Sequence, residues 1–124
     1  MSVDTEARPD DGTNVLAQLL GVLLAPLAYL AGLQLTYQLV PHDCHVQDST
    51  LGHLLHAGTV LLCLAGLGIA WRVWRSTSAA TLPEDAGPAA RTKFLGLVGT
   101  LMSALFVWIA LAQWMAVFFL SPCQ

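Results

Sequence analysis

The chain has 124 residues, of which 56% are hydrophobic and only 10% charged, against roughly a quarter charged in an ordinary soluble domain. Its formal net charge is -3, and the few basic residues form no patch interleaved with aromatics, which argues against a nucleic-acid partner. The charges are segregated into the first eleven residues, residues 43–48 and residues 72–93, so membrane lipid is the expected surroundings of everything between them.

Residues 1–14 are polar and acidic. A cleaved secretory signal begins instead with a basic region followed by a short apolar run. The first apolar segment is therefore expected to stay as an anchor behind a short, disordered tail at 1–13.

Three charge-free runs follow: 26 residues at 15–40, 21 at 51–71 and 27 at 94–120. A helix needs about 20 residues to cross the hydrocarbon core. Backbone groups in lipid must be satisfied within the segment, so long Leu/Ala/Val runs are expected to be helical, and the alternation a barrel requires is missing. The sequence predicts an all-α integral membrane protein with three transmembrane helices at about 15–40, 51–74 and 93–120, forming one domain over 14–124. Thr13 or Asn14 is placed to cap the first helix and Pro41 to stop it, Ser49 or Thr50 to cap the second, and Pro122 to close the third. Pro26 falls inside the first span and removes one amide donor there.

Orientation follows from Lys and Arg near helix ends. Arg72, Arg75, Arg91 and Lys93 flank the connector between the second and third helices, whereas residues 41–50 and 121–124 contain neither residue type. The connector at 76–90, rich in Ser, Ala, Thr and Pro, is thus expected to be a flexible cytoplasmic loop, with the N-terminus inside and the C-terminus outside. Trp71 and Trp74 at one boundary, and Tyr37 and Trp114 towards the other, suit interfacial aromatic belts.

That topology sorts the cysteines. Cys44 and Cys123 each follow the outer end of a helix and are candidates for a disulfide in an oxidising compartment, provided the helix ends meet its distance window. Cys63 lies mid-span and is expected to be a reduced packing residue. All four histidines also cluster at the outer end. His42, Cys44 and His45, with Cys123, offer imidazole and thiolate donors for copper or zinc, but their spacing matches no closed metal-site signature. His53 and His56 lie three apart on the second helix. They could serve as haem ligands or quinone hydrogen-bond partners, or simply bond to a neighbouring helix or subunit. Two axial histidines usually come from different helices, and the other two spans have none, so no cofactor is expected to be held by this chain alone.

Gln34 and Gln38 on the first span, and Gln113 at similar depth on the third, mark contacts with protein rather than lipid. Ala28 with Gly32, and Gly99 with Ser103, have the four-residue spacing that lets helices approach closely. No Asp, Glu, Lys or Arg falls within a span, which argues against a proton pump, ion carrier or embedded hydrolase. Neither a phosphate-binding glycine loop nor a nucleophile elbow nor a zinc-protease motif is present.

Several of these residues together resemble a family. Pro26-Leu27, Gly32-Leu33-Gln34-Leu35, Tyr37, the helix end with Pro41 and Cys44, Arg72 to Arg75, Gln113-Trp114 and Pro122-Cys123 are similar to the small three-helix proteins encoded beside bacterial haem-copper cytochrome c oxidase subunits. In that family a histidine often precedes the Leu-Gln of the first helix, where this chain has Gly32, so any ligand role at that position is missing here. The resemblance implies a multi-pass protein of the bacterial inner membrane, acting as an accessory subunit of a respiratory complex or as an assembly partner.

Overall fold

A computed structural model of the chain describes residues 9–80, 88–120 and 123, with side chains from 15 to 78, from 90 to 120 and at 123. Three helices make up almost all of it: α1 (Pro9–Val46), α2 (Thr50–Ala80) and α3 (Pro88–Phe119), with no strand among the described residues. Val15–Val46, Thr50–Ser78 and Ala90–Phe119 are each long and apolar enough to cross a membrane. The chain is an all-α, multi-pass membrane protein in which each helix packs against both others.

The helices outrun their expected ends. Pro41 does not stop α1, which continues to Val46. A proline ring sets φ near the helical value and removes one amide bond, and the turn beyond it is held from inside, since Asp43 is only 8% exposed and Cys44 is tied to Cys123. Thr13 and Asn14 are not caps, because α1 already begins at Pro9, at a first position that suits proline's missing donor. At the other end of the bundle α2 runs to Ala80 and α3 starts at Pro88, so both helices draw residues out of the expected 76–90 loop. Residues 81–87, 1–8 and Pro122 lie outside the described residues.

A short turn joins α1 to α2. Gln47 donates its amide to the Asp43 carbonyl at 2.8 Å and takes a left-handed φ of 55°, the conformation that commonly ends a helix. Ser49 accepts the His53 amide at 3.0 Å. The Asp48 carboxylate, rather than Ser49 or Thr50, supplies the capping group: it accepts the Thr50 hydroxyl at 2.6 Å and the Thr50 amide at 3.0 Å. Those two bonds, the hydroxyl first, hold Asp48 below the ordinary carboxylate range.

Inside the bundle the residues are small, and the large ones face out. Ala25, Cys63 and Ser103 are fully buried, whereas Leu27, Leu61, Leu101 and Phe118 are more than half exposed. Lipid tails are as apolar as leucine, so close backbone approach rather than burial of bulk holds such helices together. The two small-residue pairs lie on these seams. A Cβ on Gly99 would come 2.9 Å from the Gly21 carbonyl oxygen, and Ser103 donates its hydroxyl to that same carbonyl at 3.3 Å. Gly32 leaves no room for a Cβ beside Thr59. Around Ala25, Ala28 and Cys63, Tyr29 and Phe106 meet with ring centroids 5.4 Å apart. Cys63 is a free thiol that donates to the Ala25 carbonyl at 3.6 Å.

Candidate functional site: the cysteine-bearing end

The bundle has two unlike ends. Arg72, Arg75, Arg91 and Lys93 are all exposed at one of them, where the tilted rings of Trp71 and Trp74 have centroids 5.1 Å apart and the Trp74 backbone crosses Gly96 closely enough that a Cβ there would lie 2.9 Å away. Gln18 donates to the Thr92 hydroxyl at 3.3 Å, a link between α1 and α3 that no spacing in the sequence signals. The histidines, Cys44 and Cys123 occupy the opposite end.

Cys44 and Cys123 are paired, with their Cα atoms 5.5 Å apart, inside the window a disulfide allows. The bond joins the last turn of α1 to the segment beyond α3. It also removes Cys44 as a thiolate donor. His42 and His45 are exposed on either side of it, and among the described residues no three His, Cys, Asp or Glu side chains converge on a point that could hold a metal. The expected set of His42, Cys44 and His45 therefore does not assemble among the described residues: His42 and His45, three apart, share a face of α1, but Cys44 is committed to Cys123.

His53 and His56 part company as well. Trp114 donates its indole N–H to Nδ1 of His53 at 3.1 Å, and Phe118 lies 4.7 Å from the same ring, so His53 belongs to the α2–α3 contact. That bond requires Nδ1 of His53 to be unprotonated. His56 turns the other way, with its Nδ1 2.9 Å from the Gly52 carbonyl. A carbonyl only accepts, so here Nδ1 carries the proton, and in the neutral ring Nε2 is left as an acceptor. Adjacent histidines thus hold opposite tautomers, each fixed by its partner.

His56 is 9% exposed and Asp43 8%. Both line a cavity of about 220 Å³ whose walls come from all three helices, including Val40, Leu55 and Val117, with Ser49 at its edge. Gly52 is part of its lining, and a Cβ there would sit 3.3 Å from Oδ2 of Asp43. Asp43 is the residue that sequence reasoning missed. Placed in a loop, it reads as one more solvated charge; only the continuation of α1 past Pro41 turns it inward.

The glutamines also divide. Gln113 is half-buried and faces Tyr29, Thr36, His56 and Thr59 between the helices. Gln34 and Gln38 are exposed on the outside of α1, beside a 74% exposed Tyr37. No protein-family model, curated protein or solved structure matches this chain.

Proposed function

We propose that the chain is a non-catalytic accessory subunit of a bacterial respiratory membrane complex, a cytochrome c oxidase, which it stabilises by helix packing. The observation that carries this reading is the placement of Gln34 and Gln38. Both amides face out of the bundle from within a span, and an amide in that position is best satisfied by another protein helix. The choice of an oxidase rests on the resemblance of the motifs around Pro26, Gln34, Tyr37 and Gln113. The bundle sits in the inner membrane with its basic end in the cytoplasm, because Lys and Arg stay on that side, and its disulfide outside, where such bonds persist.

Affinity purification of the tagged chain in mild detergent tests the reading. Oxidase subunits are expected to co-elute. The double substitution Gln34→Leu, Gln38→Leu should release them while the Cys44–Cys123 bond stays formed. Recovery of the unaltered chain alone overturns the subunit assignment.

A further inference from the structure

We infer that the cavity between the cysteine-bearing ends of the three helices is a binding site for the primary-ammonium head group of a membrane phospholipid. Asp43 is more than nine-tenths buried as a residue, and its carboxylate, which is not among the fully buried, unpartnered side-chain groups, lines the cavity. A carboxylate recessed among apolar walls is favoured by a counter-charge. The sequence has no Lys or Arg between Arg8 and Arg72 or after Lys93, and His42 and His45 are exposed.

The rest of the cavity narrows the chemistry. His56 spends its Nδ1 proton on Gly52 and presents an acceptor at Nε2 in the neutral ring. Thr36 commits its hydroxyl proton to the Gly32 carbonyl at 2.8 Å. The polar groups lining the space are therefore mainly acceptors around one negative charge, and they select a cationic ligand with several N–H donors. An ammonium supplies three donors and a positive charge. The remaining walls, Leu39, Val40, Leu55, Val117 and Leu120, are apolar and suit the upper part of an acyl chain. Lipid already surrounds this bundle, whose outer faces are leucine and phenylalanine. The site needs only membrane residence and is independent of the oxidase reading.

Native mass spectrometry of the purified chain, exchanged into equal parts of phosphatidylethanolamine, phosphatidylcholine and phosphatidylglycerol with identical acyl chains, tests the site. The chain is expected to retain one phosphatidylethanolamine about tenfold over phosphatidylcholine, whose quaternary nitrogen has no N–H, as charge-assisted hydrogen bonds require. Asp43→Asn should abolish that preference, whereas Asp48→Asn, a carboxylate outside the cavity, should keep it. Gly52→Val provides a second route, because it fills the space beside Oδ2 of Asp43 without removing the charge, and it too should lose the lipid. Equal retention of the three lipids, preference for phosphatidylglycerol, or unchanged selectivity in both Asp43→Asn and Gly52→Val overturns the inference.

Discussion

The waist of the bundle and its cysteine-bearing end are held by different physics. At the waist, Gly21, Gly99 and Ser103 bring α1 and α3 into backbone contact, and the attraction is dispersion over a tight seam. At the cysteine end the contacts are discrete: a covalent bond, an indole-to-imidazole hydrogen bond and an aspartate cap. A seam of close approach tolerates no added volume but few of its atoms are irreplaceable. A set of discrete bonds tolerates volume and depends on particular atoms. The contrast teaches where substitutions should hurt, and by which mechanism.

Adding bulk at the waist is expected to have the largest effect. Gly99→Leu must push the Gly21 carbonyl away, and overpacking of this kind costs about 3 kcal/mol. Gly68→Leu is the matched control, because a Cβ at Gly68 meets nothing within 4 Å. Denaturant titration in micelles should show a clear loss for the first and almost none for the second. Equal losses would mean that α1 and α3 do not meet at Gly21.

The disulfide comes next. Cys44→Ser should cost about 2 kcal/mol, the lower end for such bonds, because three spans already restrict the chain that the bond closes. The same titration, repeated with reductant on the unaltered chain, should reproduce the loss, and addition of reductant should leave Cys44→Ser unchanged.

The aspartate cap has the smallest effect and a pH signature. Asp48 is held below the usual carboxylate range, so its contribution is complete above the ordinary aspartate pKa and is lost as pH falls through the lower, folded value. Protection of the Thr50 amide, taken relative to its intrinsic exchange rate at each pH, should then fall at low pH in the unaltered chain, while Asp48→Asn should remove that pH dependence. A titration of Asp48 by carbon-detected NMR that shows an ordinary midpoint would remove the cap from the comparison.

Much of the waist was legible in the sequence and less of the end. Charge-free runs located the three spans, and the four-residue spacing of Ala28 with Gly32 and Gly99 with Ser103 pointed to the seams, because helical periodicity is a local property. Helix limits were not legible. Pro41 looks like a stop, yet whether a helix outlives a proline depends on what holds the next turn, and that is decided by residues far along the chain. Asp43 was hidden for the same reason. The partner of His53, Trp114, depends on the rotation of α2 against α3, which no spacing within α2 encodes, whereas His56 bonds to Gly52 one turn back on its own helix. The same rotation leaves Gln113 inside the bundle and Gln34 and Gln38 outside it.

The bond between Cys44 and Cys123 has a topological consequence. It closes a ring over a sequence separation of 79 residues, and that ring contains α2 and α3 entire. A machine that pulls from beyond Cys123 must draw a doubled strand or first reduce the bond, whereas one that pulls from ahead of α1 can unravel that helix as a single filament as far as Cys44.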